Sequence, residues 1–281
     1  MTTSIYSAVL NHSTTAGFRA WGSGLSSNLT AAGLVKTTDS GQINWTTVNK
    51  PTLAMTVAGY EIWKLPDSSI FFKLEYGNHS DATSPLIYVT SGTGSSGAGA
   101  ITGAISAQTP ITIGNPAFSI TQLYLTYISV TNNHLTLVLA SAGNNAQHPM
   151  AIYNCAKTVD SAGAPTTVGY GSFMPYNGGL QSVRISPATA YNRNTNGYGC
   201  LPGMPTDTLT TNAEYQAYQS FLNLPEVKPY IGMCGICTFE APKGTIFSYK
   251  PVGTVTRSYL SVAANTFADL NSNFSCALLW E

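Results

Sequence analysis

The sequence predicts a mainly β chain, an antiparallel β-sandwich-like core with long loops and one or two short helices, on three observations. Charged residues are only 9% of the chain while aromatics are 11%. Polar surface therefore comes from Ser, Thr, Asn and Gly, which suit pleated sheets and turns better than helices, whose exposed faces favour Lys, Glu and Arg. Short apolar runs alternate with turn residues along much of the chain. Two such runs, 119–130 and 134–140, flank Thr131-Asn132-Asn133, which reads as a hairpin with asparagine supplying left-handed turn geometry. Disorder is excluded by 16 Tyr, 10 Phe and abundant Thr, Val and Ile, and 281 residues suffice for a sizeable core.

In chain order, residues 1–16 are mostly polar and read as an N-terminal arm resting on another surface; 17–281 read as one β-rich domain. Leu25, Leu29, Ala32 and Leu34 give 17–34 the spacing of a short helix, with Ser26 or Ser27 as its cap and Gly33 as its stop. Strands follow at 53–57, 60–65, 70–76 and 86–90, broken by Pro66-Asp67-Ser68 and Asn78-His79-Ser80. The 159–230 stretch is rich in Gly, Pro and Asn and reads as long ordered loops, with a possible sub-boundary near 158. One helix interrupts it at 213–223, capped by Asn212, with Glu214 in its first turn and Pro225 beyond its end. Strands return at 230–240, 246–250, 255–262 and 276–280. No internal period of 20 to 50 residues marks a solenoid or propeller.

Lys+Arg and Asp+Glu balance at 12 each, so the chain has no long-range field to draw in nucleic acid or anionic lipid. No apolar run reaches the length of a membrane span, and Met1-Thr-Thr-Ser-Ile-Tyr6 lacks a secretory leader's basic and then apolar build. The expectation is a soluble protein folded inside a cell, with neither nucleic-acid binding nor membrane insertion. Between Asp81 and Lys157 lie 75 consecutive residues without a charge. Half-buried strands with a polar wet face would explain this, and so would faces covered by neighbouring subunits.

Several motifs invite a chemical reading. Gly92, Gly94 and Gly97 match G-x-G-x-x-G after a strand, but no helix opens at the third glycine and no acid follows before Asp160. A flexible or tightly packed glycine loop is the better reading than a dinucleotide site. Cys234-Gly-Ile-Cys237 has knuckle spacing, yet Cys155, Cys200 and Cys276 are single; the pair reads as buried thiols on one strand rather than a zinc or redox site. Asp39-Ser40-Gly41 occurs once, whereas an aspartic protease needs two such carboxylates, so it reads as a turn. His12, His79, His134 and His148 read as solvated loop residues. Glu61, Asp67, Glu75 and Asp81 form the densest acidic group, where two could serve glycoside cleavage; Lys64 and Lys73 as cross-strand partners are the plainer account. No cofactor, metal ligand or catalytic residue is assigned, and the chain is expected not to be an enzyme.

The block 17–51, which contains Asp39, Gly41, Gln42, Ile43, Asn44 and Trp45, is followed by Tyr60-Glu61-Ile62-Trp63, then Lys73-Leu74-Glu75-Tyr76-Gly77, then the glycine loop. In that order the blocks resemble uncharacterised structural proteins of tailed bacteriophages, of the tail and tail-fibre region. Ser258-Tyr259-Leu260 and Leu279-Trp280-Glu281 are similar too; 159–230 carries no likeness. The resemblance implies a virion component assembled in the bacterial cytoplasm, in tail, baseplate, fibre or neck, contacting copies of itself in a symmetric assembly and other virion structural proteins. Capsid decoration is the variant within the same class. The rival expectation is a carbohydrate- or receptor-binding module that stacks host surface glycan on Trp63, Tyr76, Tyr88, Tyr170, Tyr176 and Tyr198.

Overall fold

The computed structural model describes residues 2–9, 12–78, 85–112, 123–132, 134–141, 150–159, 165–173, 182–185, 189–191, 217–219, 234–237, 246–249, 257–264 and 275–280. Among them one helix and eighteen strands form a mainly β fold of three sheets in which every strand pairing is antiparallel.

The segment expected to be an arm is largely a strand. β1 (Thr2–Val9) runs along the edge of the seven-stranded sheet and pairs residue for residue with 123–130. Its Ser and Thr look polar in one dimension, but Thr, Ile, Tyr and Val are good strand formers. α1 (Thr15–Ala31) follows, starting before the expected boundary. Its cap is Thr14, in extended conformation, whose Oγ1 accepts the Gly17 N–H at 3.0 Å; Ser26 and Ser27 lie inside the helix instead. Gly33 ends it as expected: the Leu34 N–H donates to the Leu29 carbonyl, the Gly33 N–H to that of Thr30, and both leucines are buried.

The six-stranded sheet holds β2 (Val35–Lys36), β3 (Val57–Lys64), β4 (Phe71–Asn78), β5 (Pro85–Ser95) and β6 (Ile101–Ala104) in that order, with β7 (Thr109–Thr112) also paired to β5. The strand expected at 53–57 is absent until Val57. Residues 51–56 form an exposed turn, with Leu53 70% exposed and Met55 at φ 54°. Asn78 closes it through its N–H on the Thr56 carbonyl and its side-chain amide on that of Pro51, so those apolar residues have no ladder partner. β5 overruns its expected end and takes Gly92 and Gly94 of the glycine motif into the ladder with β6.

The seven-stranded sheet runs β1, β8 (Leu123–Val130), β9 (His134–Ser141), β10 (Met150–Val159), β11 (Pro165–Phe173), β12 (Ser182–Ile185) and β13 (Thr189–Tyr191). The β8–β9 hairpin is as read, with the Thr131 N–H on the His134 carbonyl across the turn; Asn133 lies outside the described residues. β11 to β13 replace part of the expected loops, because the Thr, Val, Tyr and Phe of β11 keep strand propensity between its glycines. Strand β14 (Ala217–Gln219) stands where a helix was expected, paired to β15 (Cys234–Cys237); Asn212 and Glu214 lie outside the described residues. β16 (Ile246–Tyr249), β17 (Arg257–Ala264) and β18 (Ser275–Leu279) complete a five-stranded sheet ordered β14, β15, β18, β17, β16.

One apolar cluster joins α1 to the six- and seven-stranded sheets. The helix gives Phe18, Trp21, Leu25 and Leu29, one sheet Trp63, Phe72, Leu74 and Ile87, the other Ile128, Leu137 and Tyr153. The sheets touch where the Tyr153 ring meets Phe72 edge-on, at 6.5 Å between centroids. In β8 and β9 both faces are covered: Tyr127, Ile128, Ser129 and Val130, and His134 to Leu139, are all buried. Burial within one chain therefore accounts for the missing charge in this hairpin.

Candidate functional site

Among the described residues, the six-stranded sheet carries chemically distinctive side chains on two faces. Strand alternation sends Glu61 and Trp63 of β3 inward, level with Leu74 and Phe72 of β4, and sends Tyr60 and Ile62 to the other face, level with Glu75 and Lys73.

Inward, Glu61 is fully buried and is the acceptor for five donors. Its Oε1 takes Lys36 Nζ at 2.6 Å, Ser26 Oγ at 2.8 Å and Trp45 Nε1 at 3.1 Å. Its Oε2 takes Tyr76 OH at 2.6 Å and Trp63 Nε1 at 3.2 Å. The expected partner Lys64 instead lies over the Phe71 ring: Lys64 shares the outer face, while Lys36 enters from β2 opposite Trp63. A carboxylate so fully bonded has little acceptor capacity left for a substrate proton; it ties α1, β2, β3, β4 and the 44–48 turn together. Burial, and after it the adjacent Glu61 charge and hydrogen bond, push the Tyr76 phenol well above its usual range. Tyr76 is a neutral donor throughout ordinary pH.

A second carboxylate organises the glycine motif. Asp39 Oδ2 accepts from Thr37 Oγ1 at 2.6 Å and Ser95 Oγ at 2.8 Å, and Oδ1 from the Gly99 N–H at 3.3 Å. The Ser40 N–H reaches the Gly97 carbonyl at 2.9 Å. Asp39-Ser40-Gly41 is thus a turn, as read, but a turn docked on the β5–β6 hairpin. Burial alone would raise the Asp39 pKa; the bonds from Thr37, Ser95 and the Gly99 and Gly97 backbone outweigh it and hold the carboxyl below 3.8. Gly92 and Gly94 of the glycine motif are closely packed in the β5–β6 ladder, Gly97 turns at an exposed tip with nothing within 4 Å of the place of a Cβ, and the anion the loop's backbone serves is the chain's own.

Outward, Tyr60, Glu75, Tyr88 and Pro110 stand side by side across β3, β4, β5 and β7. Lys73 Nζ meets Glu75 Oε1 at 3.1 Å and covers the Tyr60 ring at 4.6 Å, while Gln108 Nε2 donates to Glu75 Oε2 at 2.6 Å. Lys73 is therefore the partner of Glu75, along the strand rather than across it. The result is a neutral ledge of aromatic and amide groups. Tyr60 was not singled out in the sequence, although its alternation with Glu61 marks it as facing outward. Trp63 and Tyr76 are fully buried and cannot stack on a sugar; Tyr88 is half-buried on the ledge. The Tyr170 side chain, Tyr176 and Tyr198 lie outside the described residues.

The acidic group is dispersed. Glu61 and Glu75 occupy opposite faces of one sheet and cannot flank one glycosidic bond. Asp67 holds the Ser69 N–H and hydroxyl in an exposed turn, and Asp81 lies outside the described residues. Two histidines are core residues instead of solvated ones: His12 packs edge-on to Phe18 and Trp21 with Nε2 3.2 Å from Asn78 Oδ1, and His134 sits between Ser129 and Thr131. Their partners, Asn78 for His12 and Ser129 and Thr131 for His134, are not the residues adjacent to them in sequence. His79 and His148 lie outside the described residues, as do the side chains of Cys234 and Cys237 on β15. Among the described residues no three His, Cys, Asp or Glu converge, and no helix is long and apolar enough to cross a membrane. Comparison with protein-family models, characterised proteins and solved structures gives no match.

Proposed function

We propose that this chain is a structural component of a tailed-phage virion, in tail, baseplate, fibre or neck, that works by contacts with copies of itself and with other virion proteins and performs no catalysis. The observation that carries the proposal is the use of the carboxylates described on and beside the six-stranded sheet. Glu61 and Asp39 are spent on internal clamps, and the outward Glu75 is neutralised by Lys73. What remains at that surface is shape and neutral polarity, the properties of an assembly protein. The block order 17–103 supplies the phage reading. Mass spectrometry of purified particles should find the chain in a fixed ratio to other virion proteins, and the pure protein should form a closed oligomer by light scattering. A stable monomer missing from intact particles removes the proposal. A particle map places it on the tail or, as the capsid-decoration variant requires, on the head.

The outward ledge favours a second reading, a module for host surface glycan. Tyr88 offers a ring, and Lys73 and Gln108 offer donors beside it. On this reading binding to a glycan array is lost in Tyr88→Ala while the oligomer persists; an array silent for the native chain ends it.

A further inference from the structure

A strand at the edge of a sheet presents a row of backbone N–H and C=O groups on its outer side, and short length, charge, proline, glycine or a bulge ordinarily blunts it. Among the described residues, every edge but one is blunted in this way. β2, β13 and β14 have two, three and three residues, and β16 has four. β6 and β7 have four each, with Gly103 at φ 58° in the first and Pro110 in the second.

β1 has none of these devices. It runs eight residues, Thr-Thr-Ser-Ile-Tyr-Ser-Ala-Val, without charge, proline or glycine. Its ladder with β8 has no register shift, whereas the β3–β4, β10–β11 and β17–β18 ladders each carry one. No described strand pairs with its other side. Alternate residues of an antiparallel strand bond to opposite neighbours, so half of the β1 amides serve β8 and half point outward.

The strand that matches such an edge is an identical one. Two copies of β1 related by a twofold axis normal to the sheet have equal length and antiparallel direction, and no like charges meet, because the first Lys, Arg, Asp or Glu of the chain is Arg19. We infer that β1 of one copy pairs with β1 of a second, joining their seven-stranded sheets into one. The pairing consumes the long edge of each copy, so it closes at two and leaves no free edge for a fibre. It rests on the reading of the chain as a self-contacting protein and specifies the contact.

The full chain should sediment as a dimer, with alternate amides of β1 protected from exchange in the dimer and released in the monomer on dilution. The twofold sets one residue near the middle of β1 opposite its own mate, within the Cα separation of about 4.4–6.8 Å that a disulfide spans. Mates one residue away stand about 8 Å apart. Oxidation of Ser4→Cys, Ile5→Cys, Tyr6→Cys and Ser7→Cys should therefore give crosslinked dimer, above the native chain's own level, at one position and not at its neighbours. Outward amides that stay protected in the monomer, or a dimer with no such peak, overturn the pairing. Should the cysteine variants fail to fold, the exchange pattern of the native chain decides it. A monomer that is nonetheless found in purified particles overturns the pairing and leaves the virion role standing.

Discussion

At the scale of single residues the fold depends on Glu61. All five of its partners are donors, so Glu61→Gln keeps the volume but turns an amide NH2 toward hydrogens and removes the charge opposite Lys36. Losing one member of such a buried set costs about 3–5 kcal/mol, which urea unfolding should register. Lys36→Met should cost a comparable amount, because it leaves the fully buried Glu61 carboxylate without its cation. Near this site Gly22 shows why a helix tolerates a poor helix former. A Cβ there would fall 2.0 Å from the Trp45 ring. Gly22→Ala therefore destabilises despite alanine's higher propensity, and intrinsic tryptophan fluorescence should change as Trp45 leaves Glu61. None of this was legible in the sequence: Glu61 stood among four acids with lysines nearby, and only the path of β2 shows that Lys36 reaches it.

At the scale of elements, the β5–β6 hairpin is held by its contact with the Asp39 turn. Gly99, at φ +89°, would place a Cβ 2.1 Å from the Tyr60 hydroxyl, itself bonded to the Ser40 carbonyl at 2.6 Å. Gly99→Ala should loosen the hairpin, seen as faster amide exchange at 92–103 with the β8–β9 amides unchanged. The same lock has a pH dependence with a definite sign. Asp39 has a folded pKa below its unfolded value of 3.8, so its contribution is present above 3.8 and is lost as pH falls through the folded value. Asp39→Asn should be the less stable chain at pH 7, with the gap narrowing below pH 4 in parallel melts. The elements read correctly were those whose pattern is local: the β8–β9 hairpin, the three runs of β3 to β5, the Gly33 stop. The errors have a common cause. Leu53 and Met55 have strand-like composition but no partner, while Tyr218 and the β11 residues have one that helix periodicity and glycine content do not reveal. Pairing over long sequence separation decides such segments.

At the scale of the whole molecule, two sheets and a helix share one interior, and neutral acids are buried in it at Tyr153 and Cys155 and on the other face of β8 at Tyr127. Burial raises the Cys155 thiol from 9.0 to about 12 and Tyr127 from 10.0 to about 12, and it drives Tyr153 well above 10.0. Each folded value exceeds the unfolded one, so the unfolded chain gives up its protons first. The stabilisation is complete below about pH 9 and drains away as pH climbs toward 12, at about 1.4 kcal/mol per pH unit for each group in play. Among the described residues Cys155 is the thiol so raised, and since a thiol begins to ionise in the unfolded chain before any phenol, the first part of their share of the decline belongs to Cys155. In Cys155→Ala, denaturant midpoints measured from pH 8 to 11 should therefore stay level for about one pH unit longer than in the native chain, whatever offset the smaller side chain introduces at neutral pH. An unchanged onset would mean that the thiol is not sealed between the sheets, and that the interior they share is open to hydroxide at its centre.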